Sequence, residues 1–87
     1  MGIPTAHQIE SDTLAILKRV SPRPIVPTRE STLQADLDFD SIQVLELVSE
    51  LEDHFNISVP LNRLPQIRTV GQMVDALEGL LAERAGV

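Results

Sequence analysis

Residues 40–56 read DSIQVLELVSELEDHFN, and this segment contains the strongest helical pattern in the chain. Asp40 is a suitable N-cap residue, and Gln43 three positions later completes the spacing of a capping box. Asn56 is suited to end the helix, and Pro60 blocks its continuation. The apolar residues recur every three or four positions, which predicts one buried stripe along an amphipathic helix: Val44, Leu47, Val48, Leu51 and Phe55.

A second helical pattern precedes this segment. Thr5 and Gln8 have capping-box spacing, and apolar residues at steps near 3.6 predict a helix over residues 6–20. Prolines within residues 22–27 end this helix because proline lacks an amide donor. The loop that follows, residues 21–40, is longer than most connections in compact domains. Five of its apolar residues are expected to pack against the core: Ile25, Val26, Leu33, Leu37 and Phe39.

The chain after residue 60 predicts one short helix and one long helix. The short helix is expected around residues 61–64, where Pro65 cuts it short. The long helix starts at Thr69, with Gln72 at capping-box spacing. Its expected buried stripe comprises Val70, Met73, Val74, Leu77, Leu80 and Leu81. The predicted fold class is therefore all-α: a small bundle of three main helices plus a short helix, with a long first loop. We expect a single domain over residues 1–87, with loose ends at residues 1–4 and 82–87.

Composition restricts the class of function. The 87 residues include no Cys, which excludes disulfides, thiolate metal sites and thiol nucleophiles. No apolar run is long enough to cross a membrane, and the N-terminus lacks a signal-peptide pattern. The sequence therefore predicts a cytoplasmic protein.

The charge is concentrated in one segment. Residues 31–62 contain seven acids with no Lys or Arg, and this segment accounts for the net charge of −6, since the rest of the chain is at +1. A negative protein is a poor partner for nucleic acid or anionic lipid. Gln43, Glu46, Glu50 and Asp53 share one face of the predicted helix because they are three or four residues apart. This face is either a solvated surface or a docking surface for basic partners.

The sequence offers few residues from which a catalytic or metal site could form. Thirteen residues of predicted helix separate Ser41 from His54, or about 20 Å of rise, so the two cannot form a Ser–His pair. His7 approaches Ser41 only if tertiary folding brings it there. The acids show no EF-hand pattern, and Glu50, Glu52 and Asp53 are best interpreted as a solvated acidic face. We therefore expect neither enzyme activity nor a metal site.

Ser41 occupies the first helical position, directly after the predicted N-cap Asp40. A hydroxyl there is exposed at a corner, and the positive end of the helix favours an attached phosphate. No base is evident beside it, so this serine is expected to be modified rather than to act as a nucleophile. An Asp-Ser pair at a helix start is common, and alone it has little specificity.

Together with its surroundings, the run DSIQVLELVSELEDHFNISVP (residues 40–60) resembles the acyl carrier proteins. That family opens its second helix with Asp-Ser-Leu, continues with Glu-Leu-Val and Leu-Glu-x-x-Phe, and ends the run with Ile-Pro. Thr69-Val70 matches the start of its last helix, and the similarity extends over about residues 33–81. The resemblance implies that Ser41 carries 4′-phosphopantetheine, attached from coenzyme A by a phosphopantetheinyl transferase. The chain would then hold acyl groups as thioesters.

The resemblance also implies roles for neighbouring residues. Asp40 matches the acidic residue that precedes the modified serine. Glu46, Glu52 and Asp53 match the family's partner-recognition acids, and the expected docking surface comprises Ile42, Glu46, Glu50, Glu52 and Asp53. The candidates for lining an acyl pocket between helices are Leu45, Val48, Leu51 and Met73. The implied partners, besides the transferase, are acyl-loading and acyl-accepting enzymes with basic docking patches.

Two positions and one segment depart from the family pattern. The family usually reads Leu-Gly-x-Asp-Ser, and Asp38 stands here in place of the glycine; the usual acid two residues after the serine is Gln43. The usually acidic third helix reads LNRLPQ (residues 61–66). These changes favour a carrier dedicated to a particular lipid or secondary-metabolite pathway over one that serves the general fatty-acid synthase. Since the chain is a single domain that starts with Met1, we expect the carrier to be discrete, and we expect a monomer. The alternatives are an aminoacyl or peptidyl carrier and an acidic adaptor without a prosthetic group.

Overall fold

The computed structural model describes residues 4–85, which form three α-helices and one 3-10 helix. Their bounds in chain order are α1 Ala6–Val20, α2 Ser41–Phe55, the 3-10 helix η1 Leu61–Gln66, and α3 Val70–Ala85. The backbone of residues 4–85 forms no strand, apart from one isolated antiparallel bridge between Thr32 and Thr69. The predicted all-α class is confirmed, and the bounds of α1 and α2 agree with the sequence prediction.

The last helix is longer than the sequence predicted. α3 continues through Ala85, so residues 82–85 are helical and the expected loose end from residue 82 is wrong for them. The Arg84 guanidinium donates hydrogen bonds of 3.1 and 2.5 Å to the carbonyl oxygens of Phe55 and Asn56. These bonds hold the last turn of α3 against the end of α2. Residues 1–3 and 86–87, which were also expected to be loose, lie outside the described residues.

The helix ends are fixed by the caps that the spacing indicated. The Asp40 carboxylate accepts the Gln43 N–H at 2.8 Å, and the Gln43 amide oxygen accepts the Asp40 N–H at 3.1 Å. Thr69 and Gln72 make the same reciprocal pair before α3, with both distances at 3.1 Å. At the other end of α2, Asn56 adopts a left-handed conformation with φ of 55°. Such a residue ends a helix because its backbone turns away from the axis.

The core is largely aliphatic and lies where the helical stripes meet. Leu17 of α1, Leu47 of α2 and Leu77 of α3 are fully buried. The stripes predicted for α2 and α3 are buried except at Val44 and Leu80, which are half-buried. Burial of this apolar surface is the main force that holds such short helices together.

The long loop between α1 and α2 packs onto the bundle. Leu33, Leu37 and Phe39 are buried as expected, and Ile25 is half-buried. The prediction for Val26 is wrong: this side chain is 89% exposed, and the adjacent Pro27 is buried instead. Neighbouring side chains of an extended segment point to opposite sides, so only one of the two can face the core.

Arg29 ties this loop to two helices. Its guanidinium donates to Glu10 of α1 at 2.8 Å and to Asp75 of α3 at 2.9 Å. The hydrogen bonds to Glu10 and then Asp75 raise the pKa of the Arg29 guanidinium above its usual range. The Arg29 carbonyl oxygen accepts the Gly71 N–H at 2.9 Å, so the loop backbone lies directly against the first turn of α3.

The two glycines of α3 are expected to respond differently to alanine. A Cβ on Gly79 would meet no atom within 4 Å, whereas a Cβ on Gly71 would lie 3.1 Å from the Arg29 carbonyl oxygen. Gly79→Ala should therefore raise the free energy of unfolding by roughly 0.5–1 kcal/mol, the gain of alanine over glycine in a helix. Gly71→Ala should give no such increase in the free energy of unfolding, because its Cβ would lie too close to the Arg29 carbonyl oxygen. Thermal melts of the two variants check this, and equal stabilisation by both would contradict it.

The short helix η1 includes a proline that was expected to end it. It spans Leu61–Gln66, and Pro65 lies inside it rather than after its end. The reason is that η1 consists of successive tight turns, closed by hydrogen bonds from Arg63 N–H to Pro60 O and from Ile67 N–H to Leu64 O, both of 3.0 Å. Pro65 occupies the second position of the latter turn, where proline is favoured because its φ is already suitable.

Candidate functional site

The candidate site is centred on Ser41, the first residue of α2. Ser41 is exposed, and its hydroxyl takes part in no hydrogen bond among residues 4–85. The carboxylate of Asp40, by contrast, already caps the helix through Gln43. Ser41 is thus an accessible hydroxyl on a fixed corner, next to the positive end of the helix macrodipole.

The two residues before the N-cap Asp40 are each held by contacts with other parts of the chain. Phe39 is buried and donates its N–H to the Leu33 carbonyl oxygen at 2.9 Å. Asp38 has φ of 60°, in the left-handed region that glycine adopts without strain. Glycine is therefore usual there in the resembling family, and aspartate is among the residues that tolerate this conformation best. Asp38 also forms an ion pair with Arg23.

The predicted docking acids lie in different environments. Glu46 and Asp53 are exposed and have no ion-pair partner within residues 4–85. Glu50 pairs with Arg19 of α1 at 2.8 Å. Glu52 is half-buried, and its carboxylate accepts the Val59 N–H at 2.7 Å. The acidic face therefore offers two uncommitted carboxylates, while the other two carboxylates contribute to the fold.

Two apolar side chains stand out on the surface of α2 near Ser41. Ile42 is 67% exposed and Leu45 is 51% exposed, and their spacing of three residues places them on one side of the helix. Ile42 was predicted in the docking surface, and Leu45 in the acyl pocket. The other three predicted pocket residues lie in the core: Val48, Leu51 and Met73.

A cavity of about 390 Å³ opens between the long loop, α2 and η1. Its apolar wall comprises Leu33, Ala35, Val44, Leu64, Pro65 and Ile67, and its polar wall comprises Thr32, Gln34 and Arg68. Val44 is one turn after Ser41 along α2, or about 4.5 Å of rise. Sequence reasoning missed this cavity because its walls come from three separated segments. The one local signal was Leu64 and Ile67 on either side of Pro65.

The histidines do not extend the site. His54 pairs with Asp12 of α1 at 3.1 Å, and its ring contacts Phe55 edge-on at 4.8 Å between centroids. His7 lies exposed in the first turn of α1. Within residues 4–85, no group of three His, Asp or Glu side chains is placed to hold a metal ion. Nor is any helix of the described part long and apolar enough to cross a membrane.

Comparisons with known proteins agree on one family. The protein-family model described as a phosphopantetheine attachment site matches residues 12–77. An acyl carrier protein of Amoebophilus asiaticus is 39% identical over 69 residues, which cover 79% of this chain and 86% of that protein. The fold of the chain is similar to a proposed acyl carrier protein of Mycobacterium tuberculosis, with TM-score 0.77 and 30% identity over 82% of this chain and 96% of that one. It is also similar to a holo acyl carrier protein of Geobacter metallireducens, with TM-score 0.76 and 27% identity over 87% of this chain and 88% of that one.

Proposed function

The chain belongs to the acyl carrier protein family. On this basis we propose that Ser41 carries its 4′-phosphopantetheine group. We also propose that the protein serves a dedicated lipid or secondary-metabolite pathway. Proteins of this family are carriers rather than catalysts, and they interact with phosphopantetheinyl transferases and acyl-handling enzymes. The observation that carries the proposal is the exposed, uncommitted hydroxyl of Ser41 at the capped start of α2. It lies inside the span matched by the family model.

The residues around Ser41 fit a phosphodiester. The hydroxyl is exposed to a transferase, and it forms no hydrogen bond to a carboxylate of the described residues. The N-terminal end of the helix favours a negatively charged group. When bound, the prosthetic group supplies a terminal thiol that forms thioesters, a function that this chain lacks because it contains no Cys.

In the proposed attachment, the Ser41 hydroxyl oxygen forms the new bond to phosphorus, and the pyrophosphate bond of coenzyme A breaks. The nucleotide half of coenzyme A leaves with that bonding pair. The hydroxyl proton passes to a base of the transferase, because His54 is thirteen residues further along α2, about 20 Å of rise, and the Asp40 carboxylate already accepts the Gln43 N–H. Ser41 thus provides the oxygen atom and its position, and the transferase provides the chemistry.

The cavity between the long loop, α2 and η1 is the proposed shelter for the carried acyl group. It starts one helical turn from Ser41, and its wall is mainly apolar. Val48, Leu51 and Met73 are buried behind this region of α2 and α3. A longer acyl chain would therefore have to displace core side chains to penetrate between the helices, which favours short or flexible cargo.

The proposed docking surface combines Ile42 with the uncommitted acids Glu46 and Asp53. An exposed apolar residue beside unpaired carboxylates suits a partner with a basic, partly apolar patch. The basic η1, which carries Arg63, repels a partner whose basic patch extends over that helix. An acidic α2 beside a basic η1 supports a dedicated partner, because an enzyme that recognises acidic residues on both helices would be repelled by Arg63.

Glu46→Lys is expected to reduce the kcat/KM of a phosphopantetheinyl transferase with a basic docking patch by roughly tenfold at low salt, because steering charge is reversed beside Ser41. Glu83→Lys is the matched control, since Glu83 is an exposed acid at the far end of α3. High salt should reduce the difference by screening. Equal effects of the two variants would show that only net charge matters.

Intact-mass measurement tests the attachment itself. The folded chain is incubated with coenzyme A and a broad-specificity phosphopantetheinyl transferase. We expect a gain of one phosphopantetheine, mapped to Ser41 by fragmentation. A folded sample that gains no mass with several transferases, yet still binds basic partners through α2, would instead support the acidic adaptor.

A further inference from the structure

Arg68 is the one charged residue that lines the cavity beside α2. Its backbone is fixed on both sides: its N–H donates to the Gln72 amide oxygen at 2.7 Å, and its carbonyl oxygen accepts the Leu33 N–H at 2.9 Å. The backbone of Arg68 is thus fixed at the cavity wall, and its side chain is exposed.

The other arginines differ from Arg68 in what their guanidinium groups contact. Arg19, Arg23 and Arg29 each pair with at least one carboxylate, and Arg84 donates to two carbonyl oxygens. Among residues 4–85, the guanidinium groups of Arg63 and Arg68 have no carboxylate within 4.0 Å. Of these two, only Arg68 lines the cavity.

No protein carboxylate lines the cavity that could neutralise Arg68. Residues 54–74 contain no Asp or Glu, and the wall contributed by the loop is Thr32, Leu33, Gln34 and Ala35. Asp36, the next acid along the loop, does not line the cavity, and its carboxylate accepts the Thr32 N–H at 2.8 Å. The cavity therefore combines an apolar wall with a polar wall that carries one uncompensated positive charge.

From this arrangement we propose that the carrier's cargo is an acyl group with a carboxylate at its far end, held by Arg68 while its methylene chain lies on the apolar wall. This inference rests on the proposed attachment at Ser41. A partly exposed guanidinium–carboxylate pair is screened by water, so the effect expected from it is modest. Apolar contacts along Val44, Leu64 and Ile67 favour the same bound position.

The test compares two cargoes of equal chain length on the full chain. A broad-specificity transferase loads Ser41 from glutaryl-coenzyme A or from pentanoyl-coenzyme A, and hydroxylamine then cleaves the thioester. Cleavage rates are measured for the unsubstituted chain, Arg68→Gln, Arg68→Lys and Arg63→Gln. Arg63→Gln is the matched control because it removes the same charge from η1 without touching the cavity.

We expect Arg68→Gln to accelerate cleavage of the glutaryl thioester about two- to fivefold, the effect of a partly exposed ion pair. It should leave the pentanoyl thioester unchanged. Arg68→Lys should retain part of the protection, and Arg63→Gln should leave both rates unchanged. Thermal melts verify that each variant is folded.

The proposal is overturned if Arg68→Gln changes both thioesters alike, changes neither, or has the same effect as Arg63→Gln. Failure of the proposed function has a different signature, because then neither cargo is attached to Ser41 and no mass is gained. If both cargoes are attached to Ser41 but Arg68→Gln has no effect specific to glutaryl, the anionic cargo is rejected and the attachment at Ser41 stands.

Discussion

Ser41→Ala is expected to abolish the mass gain from coenzyme A and a phosphopantetheinyl transferase, with almost no change in stability. The substitution removes the only atom to which the phosphate is proposed to be attached, so the expected loss is complete. The fold should persist because the helix is capped by Asp40 and Gln43 rather than by the Ser41 hydroxyl. Exposed substitutions of this kind usually alter the free energy of unfolding by about 0.5 kcal/mol or less.

Ser49→Ala is the matched control, since Ser49 is another exposed serine on α2, two turns away from Ser41. This variant should be modified at the rate of the unsubstituted chain. Intact mass and a thermal melt are measured for both variants. Modification that survives in Ser41→Ala, or that disappears in Ser49→Ala, would remove Ser41 from its proposed role.

Phe39→Ala is expected to cause a large loss of stability, well beyond that of any substitution on the surface. Phe39 is the largest fully buried side chain at the end of the long loop, and its truncation leaves a cavity directly before α2. Large-to-small changes of a buried Phe cost about 3–5 kcal/mol. In a domain of this size that lowers the melting temperature by about 12 °C or more.

Leu61→Ala serves as the control for this prediction because Leu61 is 75% exposed on η1. It should leave the melting temperature nearly unchanged. Denaturant and thermal unfolding of both variants provide the measurement. If Phe39→Ala melted within a few degrees of the unsubstituted chain, the loop would not be packed as the structure describes.

Local sequence signals predicted the helices well. The bounds of α1 and α2 follow from their caps and from prolines, each of which acts within a few residues. Prediction failed where a local signal had two interpretations. Pro65 was expected to end a helix, yet it fits inside the tight turns of η1, and Val26 is exposed because its neighbour Pro27 is the residue that is buried.

The acidic face of α2 shows a different limit of local signals. Its spacing was evident in the sequence, and all of its carboxylates were assigned to docking. The structure engages Glu50 with Arg19, 31 residues away, and engages Glu52 with the backbone of Val59. Nothing in the spacing of one helix indicates which of its carboxylates a distant segment will neutralise.

The sequence by itself determined the three main helices, the exposed position of Ser41 after its cap, and the family to which the chain belongs. These features depend on contacts within one or two turns, and the residues that make them are neighbours in the chain. Tertiary structure alone decided which acids of residues 4–85 stay free, where the cavity opens, and that Arg68 lines it without a carboxylate partner. Those properties arise between segments far apart in the chain, because side chains of the loop, α2 and η1 meet only when the hydrophobic core brings them together.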